Sequence, residues 1–535
     1  MKYIYLIFAV ILTIYACKSI KHYKFRELYQ SHNELIHGTA SLTEKPFLKI
    51  HLKNGGVCIM DDKWNYDSLT HHVEGQGKMY DFKRQELQQD VFHISIDSVQ
   101  VFETNTKLKP EGSIRMLTIT ILTAMDVALG IGCLFAPKAC FGSCPTFYIH
   151  EDNGQRLADA ESFSNAILPS LAYVDIDDIR YEATSGQKLN IKMKNEALET
   201  HVVKKANLVL IPKTKNQDVF ISPDDKYYIT EGQSKLLSAT TMDGDITHLL
   251  EKQDGMERFS LADKKDLVSA ESIILDFDIS NHTKLKGLKL SYRQTMMTTY
   301  CLYSALGYMG DEVGDIFSKI ESDAKASEKM KSIFHDALGG ISIYVYNDVT
   351  KQWVYEGEIY ETGPIAFNHE ILPLKTKYLN DRIKIKLVLN KGLWRIDHVA
   401  LYDIVKEGEP VCVPPYQLTK NGVINANDLA SVIESDNSNI ISMPGDVYGL
   451  AYSIPDDKES NRTFKIFLET EGYYLEWMRK SWLKDKNLPA LQHMMKDPKS
   501  WLTSETSNYK KYEHDMENQF WNSRWTNEHK SYESL

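Results

Sequence analysis

The chain has 535 residues, of which 43% are hydrophobic, and a formal net charge of −11. A chain of this length and hydrophobic content can form roughly three or four globular domains with large cores. Acidic and basic residues are interspersed along the sequence, which argues against a nucleic-acid-binding surface. The sequence contains no repeat of fixed period, so it gives no indication of a solenoid.

Residues 1–17 are predicted to be a lipoprotein signal peptide. One lysine precedes an apolar run that ends in a small residue, the pattern of a secretory signal. The final IYAC resembles the bacterial lipobox, in which the cysteine, here Cys17, is acylated and becomes the new N-terminus. An uncleaved N-terminal anchor is the alternative. Because Lys18 replaces the aspartate that retains lipoproteins at the inner membrane, we expect a lipid anchor in the outer membrane.

Residues 18–44 are polar and are predicted to form a tether, and a small β-barrel is predicted over residues 45–106. Leu48, Ile50 and Leu52 alternate with polar residues, the period-two pattern of a half-buried strand. The same alternation returns later in this unit. Several short strands in so few residues favour an SH3-like or Sm-like barrel.

An apolar helix is predicted over residues 107–137. Its central segment, residues 116–136, is long enough to cross a bilayer. Asp126 stands in the middle of that segment, where a charge costs roughly 2.5–3.5 kcal/mol on insertion. A buried or interfacial helix is therefore favoured, and a membrane span is the alternative.

Two cysteines, Cys140 and Cys144, flank a Phe-Gly-Ser turn in the motif ACFGSCP. In an oxidising compartment such a close pair tends to form a disulfide. A redox pair usually has two intervening residues and opens a helix, and a zinc site needs two further ligands. A structural disulfide is therefore predicted, with unpaired thiols and a redox or metal site as alternatives.

A β-rich domain is predicted over residues 138–256, and it begins with a hairpin. Strands at 146–151 and 156–163 flank an Asn-Gly dipeptide, which supplies the positive φ of a tight turn. Two acidic motifs follow, both interpreted as solvated faces, so that no metal is expected. They are VDIDDI, with Asp175, Asp177 and Asp178, and KNEALETH, with Glu196, Glu199 and His201, for which a metal site is the alternative.

A β-sandwich is predicted over residues 257–406, with a helical insertion at residues 294–338. The strand that begins Trp394-Arg395-Ile396-Asp397 resembles those of jelly-roll galactose-binding-like modules, which is a fold analogy only. Trp394, Ile396 and Val399 are expected to be buried, and Arg395 and Asp397 to point outward. If Trp394 were exposed instead, Trp394, Arg395 and Asp397 would be the candidates for ligand binding.

Residues 407–535 are predicted to form a further β unit and an aromatic-rich helical C-terminal region that starts at EGYYLEWMRKSWL. The apolar residues of this stretch recur near helical spacing, and we interpret the stripe as core packing. The stripe comprises Tyr474, Trp477, Met478, Trp482 and Leu483.

Several of these motifs together resemble a family of uncharacterised cell-envelope lipoproteins from the Bacteroidetes and related bacteria. The motifs are the lipobox, CFGSCP, NEALETH, GYYLEWMR and the phrase SYRQTMMTTYCLYSALGYMG. The resemblance extends over most of the mature chain. It implies a lipid-anchored location in the envelope, but no known activity and no catalytic residues.

No local motif indicates catalysis, since the sequence lacks the nucleophile elbow, Walker, zinc-protease and dinucleotide patterns. The paired carboxylates of a glycosidase would leave no local signature. The leading hypothesis is a non-catalytic envelope lipoprotein, without a cofactor, that binds a partner protein or a glycan. The alternatives are a glycan-binding accessory of carbohydrate processing and a thiol-disulfide or metal-dependent enzyme.

The lipobox makes a direct prediction about Cys17. Replacing Cys17 with serine is expected to leave an unprocessed precursor without lipid, because serine lacks the thiol that is acylated. Metabolic labelling with a fatty acid and mass measurement of the mature N-terminus check this. A mature N-terminus elsewhere that carries no lipid would contradict the proposed envelope anchor.

Overall fold

The computed structural model describes residues 24–40, 45–81, 85–107, 144–149, 158–279, 285–376, 381–433, 439–456 and 462–523. These residues are mainly β, with helices in the middle of the chain and at its C-terminal end. The fold class predicted from the alternating apolar patterns is confirmed. The signal peptide with Cys17, the apolar segment 116–136 and Cys140 lie outside the described ranges.

The strands in chain order are β1 (Lys24–Tyr29), β2 (Leu48–Leu52), β3 (Val57–Met60), β4 (Asn65–Asp67), β5 (His72–Tyr80), β6 (Glu86–Ser95), β7 (Val99–Lys107), β8 (Thr146–Tyr148), β9 (Ala160–Glu161), β10 (Tyr173–Ala183), β11 (Lys188–Lys194), β12 (Glu199–Thr214), β13 (Asp218–Ile221), β14 (Tyr227–Thr241), β15 (Gly244–Asp245), β16 (Ala270–Asp278), β17 (Lys286–Gln294), β18 (Ile341–Asn347), β19 (Gln352–Ile359), β20 (Asn368–Pro373), β21 (Arg382–Asn390), β22 (Trp394–Glu407), β23 (Val411–Val413), β24 (Gln417–Lys420), β25 (Val423–Ile424), β26 (Ile440–Ser442), β27 (Val447–Ser453) and β28 (Arg462–Glu476). The helices are α1 (His32–Thr39), α2 (Thr247–Leu250), α3 (Met297–Met309), α4 (Val313–Glu321), α5 (Ala324–Leu338), α6 (Ala426–Ile433), α7 (Lys480–Lys484), α8 (Leu488–Lys496) and α9 (Pro498–Ser523).

The N-terminal unit is a seven-stranded sheet in the order β1-β7-β2-β3-β5-β4, with β6 paired to β5. Its core is a cluster of buried side chains that includes Leu48, Ile50 and Trp64, as the alternating pattern predicts. The prediction of a tether over residues 18–44 is wrong from Lys24 onward. Strand β1 pairs antiparallel with β7 along its whole length, so this segment is part of the sheet.

Two further sheets are built jointly from the segments predicted as separate domains at 138–256 and 407–535. One has the order β10-β28-β12-β23, with β26 paired to β12, and the other has the order β25-β24-β27-β11-β8-β9. The hairpin pairing of β8 with β9 is confirmed, although its Asn-Gly turn lies outside the described ranges. EGYYLE does not start a helix: it ends β28, which is nearly continuously buried because strands pair on both of its sides.

The predicted sandwich is a ten-stranded assembly in the order β13-β20-β17-β22-β14-β16-β21-β18-β19, with β15 paired to β14. Residues 228–234 of β14 pair with β22, and residues 235–240 pair with β16. Between them Gly232 has a φ of +58° at an irregularity of the register, a conformation that favours glycine. The sandwich thus begins at residue 218, before the predicted boundary at 257.

Helices occupy the segment in which the sequence predicted a helical insertion. It consists of α3, α4 and α5, which lie between β17 and β18 in the chain. Asp323 caps α5, because its side chain accepts hydrogen bonds from the backbone N–H groups of Lys325 and Ala326. The C-terminal helix α8 packs against α3. Within the described ranges, no helix is both long and apolar enough to cross a membrane.

Trp394, Ile396 and Val399 are buried, each about 1% exposed, which confirms the prediction of a core position. The outward position predicted for Arg395 and Asp397 is wrong, since both are buried as well. Residues of the segment between α2 and β16 contact both side chains. The guanidinium of Arg395 lies 3.8 Å from the centre of the Phe259 ring, and Asp397 Oδ1 accepts a hydrogen bond of 2.7 Å from the Gly255 N–H.

Most of the residues interpreted as solvated faces are also buried, and Glu196 is half-buried. Asp175, Asp177 and Asp178 are 5–6% exposed, and Glu199 and His201 are almost fully enclosed. Local sequence suggested solvent exposure because polar residues are usually outside. Here β10 and β12 both pair with the central strand β28, so these acids belong to a buried sheet.

The burial of Trp394 predicts a large loss of stability on truncation. Trp394→Ala is expected to lower the free energy of unfolding by about 3–5 kcal/mol, because it removes a buried ring that contacts Tyr292 and Tyr360. Denaturant unfolding measures this. The matched control is Trp353→Ala, a half-exposed ring, for which we expect a clearly smaller loss. Equal losses for the two variants would contradict the packing described for Trp394.

Candidate functional site

A cavity of about 330 Å³ lies where the C-terminal end of β28 meets α3, α5, α8 and the segment after β19. This volume is at the small end of the roughly 300–1,000 Å³ typical of ligand pockets. Carboxyl, phenol, amide and hydroxyl groups converge in its walls. The polar lining comprises Glu161, Glu199, Glu361, Glu476, Tyr173, Tyr303, Tyr360, Tyr474, Asn165, Gln294, Ser164, Thr298, Thr299, Thr362 and Cys144.

The register of β12 and β28 places two of these acids face to face. Glu199 at the start of β12 is the direct cross-strand partner of Glu476 at the end of β28. Two residues further along, His201 is the partner of Tyr474, so that all four side chains lie on one face. Like charges directly opposite each other are unfavourable in a sheet. The Glu199–Glu476 pair is therefore expected to lower the stability of the folded protein, and the register of the two strands holds it in place.

Burial raises the pKa of Glu476 well above its ordinary value, and the facing Glu199 carboxylate within hydrogen-bonding reach raises it further. The positive charge of Arg479 lowers the pKa of Glu476 and so offsets this rise only in part. Its Nη2 lies 3.5 Å from Glu476 Oε1, too far for a strong hydrogen bond. Burial and the facing acid therefore both favour the protonated form of Glu476.

His201 holds Glu199 in place. Its Nε2 lies 2.9 Å from Glu199 Oε2. Burial lowers the pKa of His201 to about 3, so the ring is neutral and its Nε2–H donates to the carboxylate. Glu199 and His201 of KNEALETH thus lie together. His201 donates a hydrogen bond to Glu199, so the two are a donor and an acceptor rather than a pair of metal ligands. In the described part of the chain, no three His, Cys, Asp or Glu side chains converge as a metal site would require.

A second acidic group, Glu361, also lines the cavity. Burial raises the pKa of Glu361 well above its usual range, and the nearby Asp175 adds to the shift. Burial also raises the pKa of Asp175 to about 6. Glu361 Oε1 accepts the Thr362 N–H at 2.6 Å, which fixes its carboxyl against its own main chain.

The segment 360–366 carries this wall and is tied down at several points. Glu161 Oε2 accepts the N–H of Ile365 at 2.6 Å, and it lies so close to Gly363 that a Cβ there would be only 2.7 Å away. Arg293 donates from Nη1 to the Pro364 carbonyl at 2.6 Å and is itself held by Glu257 on Nε and Nη2. These bonds make the wall a preformed surface rather than an adaptable loop.

The mouth of the cavity has a different character. Half-exposed apolar side chains form its rim, namely Leu302, Met330, Phe334 and Met495. Lys331 is the exposed basic residue of the rim. Methionine side chains adapt to irregular shapes. The cavity thus combines partly exposed apolar side chains with a buried acidic lining.

Cys144 lines the cavity, with its side chain buried as a free thiol. Burial raises the pKa of the Cys144 thiol well above its ordinary value, and the carboxylates of Glu161 and Glu199 raise it further. A thiolate is the reactive form of cysteine, so this environment disfavours redox chemistry. Its predicted partner Cys140 lies outside the described residues, and the disulfide stays a prediction.

Sequence reasoning found only part of this site. Of the candidates singled out, Glu199 and Cys144 line the cavity, whereas Trp394, Arg395 and Asp397 do not. Trp394 instead lies behind the wall, 5.9 Å from the Tyr360 ring. Glu476 was missed. Its one signal is an acid inside an otherwise apolar run, YYLEWM, which is unusual for a residue on the surface.

Comparisons with known proteins add little. No protein-family model matches the chain, and no curated protein matches it. Among solved structures, the chain is similar to a fucolectin from the serum of striped bass (Morone saxatilis), at 8% sequence identity and a TM-score of 0.14. The match covers 50% of this chain and 98% of that one. At so low a TM-score the likeness carries no argument about fold or function.

The raised pKa of Glu361 predicts a pH-dependent cost. An unfolded glutamate ionises near pH 4.3, whereas folding holds the Glu361 proton, so this residue lowers stability increasingly as the pH rises above that value. Glu361→Gln is therefore expected to raise the melting temperature relative to the wild type more at about pH 8 than at about pH 5.

The matched control is Glu409→Gln at an exposed position. It should show the same small difference at both pH values. A Glu361→Gln effect that does not change with pH would contradict the buried, proton-retaining carboxyl described here.

Proposed function

We propose that this protein is a lipid-anchored binding protein of the bacterial cell envelope that holds a small carbohydrate in the cavity. The observation that carries the proposal is the convergence of carboxyl, amide and phenol side chains in one enclosed space. The anchor rests on the lipobox-like IYAC that ends at Cys17. A lipid chain would hold the cavity near a membrane surface.

The lining matches the chemistry of a sugar. A pyranose presents many hydroxyls, each of which donates and accepts. Carboxylates such as Glu476 accept from them, and the amides of Asn165 and Gln294 can both donate and accept. Its C–H faces are apolar and pack against aromatic rings, of which Tyr303, Tyr360 and others line the walls. The cavity volume suits a ligand of small size.

A binding role is favoured over catalysis by the placement of the acids. Glycosidases hold their two carboxyls about 5–5.5 Å apart when retaining and about 6.5–9.5 Å apart when inverting. Glu199 and Glu476 are within hydrogen-bonding reach of each other, which is too close for either mechanism. The neutral, buried Cys144 is likewise unsuited to a thiol-disulfide enzyme.

Blocking the mouth provides the test. Met330 lies on α5 and lines the cavity, whereas the next residue before it, Lys329, is exposed and does not. Met330→Trp is expected to abolish saccharide binding because the larger ring fills the opening. Lys329→Trp, the matched control on the same helix, should leave binding unchanged.

Calorimetry with a panel of mono- and disaccharides measures both variants against the wild type, and melting temperatures check that each is folded. If no saccharide in the panel binds the wild type, the proposed function is wrong. If a saccharide binds and Met330→Trp retains full affinity, its site is elsewhere on the protein.

A further inference from the structure

The lining of the cavity is divided according to secondary structure. Among the described lining residues, all four acidic side chains come from strands or from the segment after β19. The helices α3, α5 and α8 supply most of the aliphatic and methionine side chains, including the buried Met309 and Met494 as well as the rim. The strand part of the cavity is therefore rich in hydrogen-bonding groups, and the helical part is rich in apolar surface.

The rim is a part of the main hydrophobic core that the protein leaves partly uncovered. Its four side chains pack against that core and yet stay half-exposed, namely Leu302, Met330, Phe334 and Met495. On α5 the spacing of Met330, Ile333 and Phe334 places all three on one face of the helix. Ile333 is 5% exposed, whereas its two neighbours are left open beside the cavity. Apolar surface left open in this way is typical of ligand-binding grooves.

The polar part of the lining fits an uncharged, hydroxylated group. Burial raises the pKa of Glu361 and of Glu476 well above the ordinary value of a glutamate, which favours their protonated forms. A protonated carboxyl both donates and accepts hydrogen bonds, as a sugar hydroxyl does. An anionic group would lie beside four acidic side chains, so this part of the cavity disfavours a phosphate or a carboxylate.

We propose that the ligand is a sugar that carries an alkyl or acyl chain, as a glycolipid does, with the sugar in the polar part of the cavity and the chain against the rim. This inference rests on the proposed carbohydrate function and names its substrate class. A free sugar leaves the apolar surface of the rim in contact with water, whereas a chain covers it. The methionines Met330 and Met495 suit a chain, because their flexible side chains adapt to its shape.

Two series of glycosides test the contribution of the chain. The probes are the methyl, butyl and octyl β-glucosides and β-galactosides, each kept below the concentration at which it forms micelles. Each methylene that becomes buried is expected to tighten binding by up to about fourfold. The octyl glycosides are therefore expected to bind at least about tenfold more tightly than the methyl glycosides in calorimetry. The heat-capacity change on binding should become more negative along each series, because more apolar surface is buried.

A matched pair of variants on α8 locates the chain. Met495→Gln keeps the length of the side chain but replaces its apolar end with an amide. It is expected to reduce the ratio of octyl to methyl glycoside affinity by about fivefold. Leu488→Gln makes a similar change at an exposed apolar residue of the same helix that does not line the cavity, and it should keep the ratio of the wild type.

A second rim variant on another helix guards against a folding defect. Leu302→Asn on α3 keeps the branched shape of the side chain while making it polar, and it should reduce the same ratio. Melting temperatures show whether each variant is folded. Because every ratio is measured within one variant, a general loss of stability does not imitate the expected effect.

The outcomes separate the two proposals. Octyl glycosides that bind no more tightly than methyl glycosides would overturn the inference of a chain and leave the carbohydrate function standing. A ratio that Met495→Gln and Leu302→Asn both leave unchanged would also overturn it, because the chain would then lie elsewhere. If neither series binds, or if 1-octanol binds as tightly as octyl glucoside, the carbohydrate function itself fails.

Discussion

The pairing of β28 with β12 is the constraint on which the rest of the structure depends. β28 lies between β10 and β12, and its ladder with β12 extends from Thr214↔Arg462 to Glu199↔Glu476. That register fixes two carboxyls opposite each other at the end of a buried sheet, where repulsion and desolvation both oppose folding. A long and almost fully buried ladder supplies the favourable burial that offsets this local cost. The N-terminal sheet stabilises the same end, because Arg26 donates to the Glu476 carbonyl at 3.0 Å and His51 lies 2.9 Å from the Tyr473 hydroxyl.

The sandwich contributes the second wall and keeps it rigid. Arg293 at the end of β17 holds the Pro364 carbonyl, and Trp394 backs the ring of Tyr360 from behind. The helical insertion and α8 then close the space with an apolar rim. The end of the β12–β28 pair, the segment 360–366, and the helices of the insertion with α8 thus enclose one cavity, although they lie far apart in sequence. Natural proteins often keep unfavourable local arrangements at functional sites, and the buried acids described here are such an arrangement.

Local sequence patterns predicted the elements better than their assembly. Period-two alternation identified β2, and the change to an apolar run of helical length identified α3. The burial of Trp394 followed from the same reasoning. The predicted exposure of the acids in VDIDDI and KNEALETH was wrong because it rested on polarity alone, whereas β10 and β12 both pair with the buried central strand β28. Glu476 could not be assigned from sequence. Its role depends on pairing with Glu199, which lies hundreds of residues away and has no local signal.

The central claim is that the cavity at the Glu199–Glu476 pair is the ligand site. The most direct measurement is a crystal structure of the protein grown with the saccharide that binds most tightly. We expect the sugar inside the cavity, with its ring against the tyrosine walls and its hydroxyls within hydrogen-bonding distance of the polar lining. A sugar bound on the outer face of the sandwich, with the cavity unchanged and closed to it, would contradict the account.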